Sequence, residues 1–275
     1  MKMINTNMIN LTLSRGFSLV SLMIAMVIGI FIIGAAGQVY VQSKSSFNAR
    51  AAVSAVSENG RFALQDLRRT LAMAGMNITA SNELSSAERA IPPLDTATQL
   101  DDAITTGTGT YDGGANSDIV AVRYRRGPTC YGYVNLPLSD DPVTVRLFVE
   151  NDQLMCEKIV TNNGILVSRN KQPLVSGIKL MKALYGVDDD ADGYANRYLT
   201  ADSLTGLWSN IVSIRVGLVV NSGERNQPLD MRSDTAQTLS LLGMDYTIPA
   251  NDEKLYKVFS ATVQLRNLNP IMQKQ

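Results

Sequence analysis

The run Asp188-Asp189-Asp190-Ala191-Asp192-Gly193-Tyr194-Ala195-Asn196 is the densest group of side chains able to do chemistry in this sequence. Counted from Asp188, carboxylates stand at loop positions 1, 3 and 5. Glycine stands at 6, where a calcium loop turns sharply, with a backbone carbonyl at Tyr194 and an amide oxygen at Asn196. This D-x-D-x-D-G order suits a hard cation held by oxygen. Its defect is position 12, where Leu199 replaces the bidentate glutamate, so Asp202 would have to reach in or water complete the shell. Affinity would then be weak, on the order of 10⁻⁴ to 10⁻³ M, as in extracellular modules. A solvated acidic turn built on Asp and Gly turn chemistry accounts for the same residues, and both readings stay open.

Little else in the chain points to catalysis. It has no histidine, which removes the commonest general base, the usual nucleophilic triads and most transition-metal sites. No G-x-x-x-x-G-K-[ST], H-E-x-x-H or G-x-S-x-G occurs, and Cys130 and Cys156 lack C-x-x-C spacing. Lys plus Arg and Asp plus Glu balance at 25 each, which argues against nucleic acid as a primary partner. The basic cluster Arg123-Tyr124-Arg125-Arg126 reads better as a charged strand edge that discourages edge pairing than as a DNA-capturing strip. Trp208 and the tyrosines read as core or interface residues. A structural or binding protein that requires no cofactor is expected, with Ca²⁺ the one candidate ion.

The elements that must position the aspartate run are strands. Two-residue periodicity predicts strands over 118–125, 129–134, 143–150 and 153–160, with Asn151-Asp152 as a tight turn between the last two. Further strands are predicted over 174–187, 211–220 and 255–265, and the aspartates follow the first of these. Val212, Ile214, Val216 and Leu218 share one face, with Ser213 and Arg215 on the other. Residues 76–116, rich in Ser, Thr, Gly, Asn and Asp, read as a long loop. Ahead of them Val53, Val56, Gly60, Leu64, Leu67, Leu71 and Ala74 recur at helical steps, ending at Gly75. The expected architecture is α+β: a long N-terminal helix packed on a mostly antiparallel sheet formed by residues 117–275.

That helix continues an apolar segment. Residues 17–37 carry no charge and no proline, and 21 residues at helical rise cover about 30 Å, the thickness of a bilayer core. Ahead of them stand residues 1–16, in which only Lys2 and Arg15 are charged. By the positive-inside rule this leader is cytoplasmic and the rest is exported. A plain membrane anchor would explain the apolar run alone. On the exported side Cys130 and Cys156 are expected to form a disulfide, closing a loop of about 27 residues worth roughly 3.5 kcal/mol, two reduced buried thiols being the alternative.

The residues at the junction, Arg15-Gly16-Phe17-Ser18-Leu19-Val20-Ser21-Leu22-Met23-Ile24-Ala25-Met26, resemble the class III leader of type IV prepilins. Glu58-Asn59-Gly60-Arg61-Phe62-Ala63-Leu64, with Leu67-Arg68-Arg69 and Met73-Ala74-Gly75, is similar to a segment of the PilW-type minor pilins, and Leu265-Arg266-Asn267 to that family's closing L-R-N. The resemblance implies the type IV pilin fold, with residues 1–16 a cleaved leader, 17–37 a transmembrane and filament-core half-helix, 38–75 an amphipathic half, 76–116 a variable loop region and 117–275 the head. It implies cleavage between Gly16 and Phe17 by a prepilin peptidase and N-methylation of Phe17. Where most pilins carry an assembly glutamate at the fifth mature position, this chain has Ser21. Related minor pilins carry a similar aspartate run after Tyr-Gly-Val, which favours the metal set Asp188, Asp190, Asp192, Tyr194 and Asn196.

The function so implied is that of a minor pilin that helps initiate pilus assembly in a tip complex, and so supports twitching motility and adhesion. Its partners would be other minor pilins, the major pilin, the inner-membrane assembly platform and a large tip adhesin. It would sit as a single-pass inner-membrane protein with a periplasmic head before assembly, and in the extracellular pilus afterwards. A type II secretion pseudopilin and a membrane-tethered calcium-dependent adhesin are the alternatives.

Overall fold

The computed structural model describes residues 18–78, 90–91, 116–125, 127–130, 132–133, 142–162, 165–223, 227–228 and 232–268. Gly16 and Phe17, and most of the loop expected over 76–116, lie outside them. The chain divides into two units, Met1–Phe47 and Asn48–Gln275, and the helix α1 (Leu19–Leu71) contributes to both.

In the first unit the apolar run of α1 that begins at Leu19 is exposed apart from half-buried Gly29, Ile30 and Phe31 being 70% and 75% exposed. Among the described residues, α1 is the one helix long and apolar enough to cross a membrane.

In the second unit α1 buries Ala52, Val56, Gly60, Ala63, Leu67, Thr70 and Leu71. The expected face is thus turned slightly: Val53 points outward at 53% exposure and Ala52 takes its place. The helix also stops earlier than expected. After Leu71 the backbone tightens, with Met73 bonding back to Thr70 and Ala74 to Leu71. Gly75 then takes φ +78°, and its amide donates to the Arg123 carbonyl at 2.9 Å. Glycine accepts this left-handed conformation without a Cβ penalty.

Twelve strands follow among the described residues: β1 (Val120–Tyr124), β2 (Pro128–Thr129), β3 (Gly132–Tyr133), β4 (Val143–Glu150), β5 (Gln153–Asn162), β6 (Ile165–Ser176), β7 (Ile178–Val187), β8 (Arg197–Leu199), β9 (Ile211–Asn221), β10 (Gln237–Leu241), β11 (Met244–Ile248) and β12 (Tyr256–Gln264). They form two four-stranded sheets, β1-β4-β5-β6 and β12-β9-β7-β8, and two hairpins, β2-β3 and β10-β11. Every pairing is antiparallel. A single sheet was expected; there are two, because the strand predicted over 174–187 is broken. Gly177 at φ +77° separates β6 from β7, and the two strands pair in different sheets.

The main core joins Val56, Ala63, Leu67 and Leu71 of α1 to Val122, Val145 and Leu147 of the first sheet and to Met181, Ile214, Val216 and Leu218 of the second. The opposite face of β9 is not polar and solvated as its alternation suggested. Ser213 is buried, and Val219 packs with Leu180 and with Leu241 of the β10-β11 hairpin.

Candidate assembly surface and aspartate loop

The aspartate run connects β7 to β8. It is anchored at both ends: the Asp188 amide donates to the Asn210 carbonyl at 2.9 Å, and the Asn196 amide to the Val187 carbonyl at 2.9 Å. Ala191 and Gly193, at φ +60° and +89°, supply the reversal. Asp188 is buried, and its Oδ2 accepts the Gly193 amide at 2.7 Å. Burial raises the Asp188 carboxyl, but the bond from the Gly193 amide and the nearby amide dipoles of Ala191 and Asp190 outweigh it and hold the group below the usual carboxylate range.

Asp190 and Asp192 are exposed, and one carboxylate oxygen from each of Asp188, Asp190 and Asp192 lies within 4.8 Å of the others. Asp192 Oδ1 also accepts the Tyr194 amide at 2.8 Å. Asn196 plays a different part from the one its loop position suggested. Its Oδ1 accepts the Asp189 amide at 2.7 Å, which fastens the loop across its base. Asp189 turns to Arg197, with Oδ2 2.9 Å from Nε. Leu199 pairs with Tyr185 inside the sheet, and Asp202 lies outside the carboxylate cluster.

In the first unit Ser21 is exposed on α1. A Cβ added at Gly29, Gly34 or Gly37 would meet nothing within 4 Å, so no contact in the described chain calls for glycine there. Such positions on an apolar helix suit close approach by a neighbouring helix.

In the second unit Cys130 and Cys156 form a disulfide, with Cα atoms 6.3 Å apart. Cys130 follows β2 in the small hairpin and Cys156 lies in β5, so the bond ties that hairpin to the first sheet. The Gln172 side chain, on the residue directly across from Cys156, donates through Nε2 to the Cys130 carbonyl. Trp208 packs on Tyr185 with ring centroids 5.9 Å apart, at the edge of the main core.

Two buried ionic groups carried no sequence signal. Asp118 Oδ1 accepts Lys182 Nζ at 2.6 Å and Oδ2 accepts the Ala183 amide at 2.8 Å, both residues being buried. Because Asp118 leads into β1 and Lys182 lies in β7, this pair links the two sheets. Within the first sheet Glu157 of β5 accepts Arg146 of β4 and Arg169 of β6, both at 2.6 Å. The partners stand 64 and about a dozen residues apart, and only the fold brings them together.

Residues 142–267 match the family model PilW, described as type IV pilus-assembly protein W. The matched part contains the aspartate loop and most of both sheets. No curated protein matches the sequence. Among solved structures, a type IV-like pilin from Thermus thermophilus is similar over 78% of this chain and 97% of its own, at 12% identity and a TM-score of 0.45.

Proposed function

We infer that a chain matching the PilW family along residues 142–267 is a minor pilin, a non-enzymatic subunit that helps initiate type IV pilus assembly within a tip complex. That match carries the reading. It points to a structural, pilus-related protein, and the exposed apolar half of α1 supplies what such a protein needs. An uncharged helix surface must be covered by lipid before assembly and by other pilin helices afterwards, and this requires packing and no catalytic group.

In this reading the leader ends at Gly16, and Phe17 becomes the methylated N-terminus. The head stands in the periplasm until the subunit leaves the inner membrane for the pilus. Other minor pilins, the major pilin and the assembly platform are its partners, and a large tip adhesin is a further one. Mass spectrometry of the mature N-terminus tests this directly. A methylated phenylalanine at residue 17 is the expected result; an intact leader, or a cut beyond residue 37, would overturn it.

Ser21 specialises the subunit. A glutamate at this depth needs a cationic partner, because an unpaired charge in apolar surroundings costs several kcal/mol. A serine hydroxyl is able to bond to a carbonyl one turn back in a helix, so it neither demands nor supplies that partner. A subunit placed first in the filament has no earlier neighbour requiring its carboxylate. Ser21→Glu is therefore expected to shift the protein from the tip to positions along the pilus, read by immunogold labelling. Unchanged amount and position would show that Ser21 does not select the site.

A further inference from the structure

We propose that the β7-β8 loop is a calcium site in which Asp188 Oδ1, Asp190, Asp192 and the Tyr194 carbonyl hold the ion and water completes the shell. The proposal stands apart from the pilin reading, since it concerns only the head.

The first observation is the clustering of three carboxylates within 4.8 Å. Asp189 has its own cation in Arg197, but no ion pair neutralises Asp188, Asp190 or Asp192 among the described residues. Like charges this close repel one another, and a divalent cation reverses the sign of that interaction. The second observation is independent of the clustering. Asp188 is only 8% exposed, yet its Oδ1 has no hydrogen-bond partner among the described residues. A buried carboxylate oxygen without a partner is costly, and a bound cation satisfies it.

The division of labour within Asp188 fits a cation loop. Oδ2 takes the Gly193 amide and closes the turn, which leaves Oδ1 for the ion. All donors are oxygen, two of the carboxylates stand at the surface with room for water, and the loop gives no octahedral cage. Calcium accepts such an irregular shell of six to eight oxygens, whereas magnesium needs near-ideal octahedral geometry and dehydrates reluctantly. Without a glutamate at position 12 the affinity belongs to the millimolar range found outside cells.

The fold gives the ion a use. Gln264 of β12 donates to the Gly193 carbonyl at 3.0 Å, and the Asp188 amide reaches the Asn210 carbonyl just ahead of β9. A cation that rigidifies the loop therefore ties the short edge strand β8 to β9 and β12.

The test uses the full chain in detergent micelles, stripped with EGTA and dialysed. Titration with CaCl₂ is expected to give a Kd on the order of 10⁻⁴ to 10⁻³ M. At about 5 mM Ca²⁺ the melting temperature should rise by roughly 3–6 °C, with MgCl₂ giving less than half of that. Asp190→Asn and Asp192→Asn sit at the surface, so each should fold normally, keep or raise the calcium-free melting temperature, and weaken calcium binding by about tenfold or more. Absence of both heat and thermal shift at millimolar Ca²⁺, an equal response to Mg²⁺, or undiminished binding in the two variants would each overturn the proposal.

Discussion

Asp118→Ala is expected to destabilise the head by about 3–5 kcal/mol, because it removes a buried carboxylate to which the Lys182 ammonium and the Ala183 amide both bond. In a head of this size that corresponds to a fall in melting temperature of roughly 6–20 °C. Lys182 is 1% exposed and Asp118 3% exposed, so solvent cannot screen the loss. The same change also removes the acceptor of the Ala183 amide, a bond of 2.8 Å between the entry to β1 and β7. The two sheets are therefore loosened where Asp118 ties the entry of β1 to the middle of β7. Asp118→Leu combined with Lys182→Met removes both charges and should recover roughly half of the loss. The orphaned Ala183 amide accounts for the remainder. Urea unfolding followed by Trp208 fluorescence suits the measurement, since the single tryptophan packs on Tyr185 of the same strand. A cost below about 1 kcal/mol for Asp118→Ala would mean that the Lys182 ammonium is satisfied without Asp118 in solution.

That pair marks a boundary between what a single sequence expresses and what it conceals. Periodicity is a local property, and the elements it controls were legible. The β4-β5 hairpin follows from alternating apolar residues around Asn151-Asp152, whose φ values of +51° and +56° are those of a turn that Asn and Asp tolerate. The β10-β11 hairpin uses the same backbone at Leu242-Gly243, with φ +52° and +86°, but leucine at the first place gives no turn signal. The beginning of β6 lies outside the predicted strands for a related reason. Ser168-Arg169-Asn170-Lys171-Gln172-Pro173 has no apolar alternation, yet it is an edge strand whose proline falls next to a register shift, where a missing amide is tolerated.

Pairing across sheets is different in kind. Nothing in Leu180-Met181-Lys182-Ala183-Leu184 says that this lysine is buried, or that a carboxylate 64 residues away meets it. In the aspartate loop the spacing named the three clustered carboxylates, and the structure brings those three together. The spacing could not reveal that Asn196 fastens the loop base, or that one oxygen of Asp188 lacks a partner, because both depend on the backbone path.

Gly60→Leu is the second substitution with a large expected effect, and it bears on why the Glu58-Asn59-Gly60-Arg61-Phe62 segment has its composition. A Cβ at residue 60 would lie 2.5–2.6 Å from Cε2, Cδ2 and Cζ of Phe259 in β12. One residue earlier, Asn59 Nδ2 lies against Gly177, where a Cβ would come within 2.9 Å of it. The helix therefore meets β12 and the β6-β7 junction where a Cβ on Gly60 would strike the Phe259 ring and one on Gly177 would strike Asn59. Glycine inside a helix costs about 1 kcal/mol relative to alanine, so the close approach must return more than that. Leucine must push the Phe259 ring out of the interface, and such overpacking costs about 1–3 kcal/mol beyond the regained helix propensity. Gly60→Ala should lie near neutrality, because a small ring shift and the propensity gain offset each other. Two comparisons isolate the cause. Gly29→Leu, with nothing within 4 Å of its Cβ, should leave thermal unfolding of the head unchanged. Phe259→Ala, destabilising alone, should absorb most of the damage of Gly60→Leu when the two are combined, a non-additivity of about 1–2 kcal/mol in the double-mutant cycle. If the two substitutions add, or if Gly60→Leu melts with wild-type protein, then α1 does not approach β12 this closely in solution, and the glycine answers instead to a neighbouring subunit.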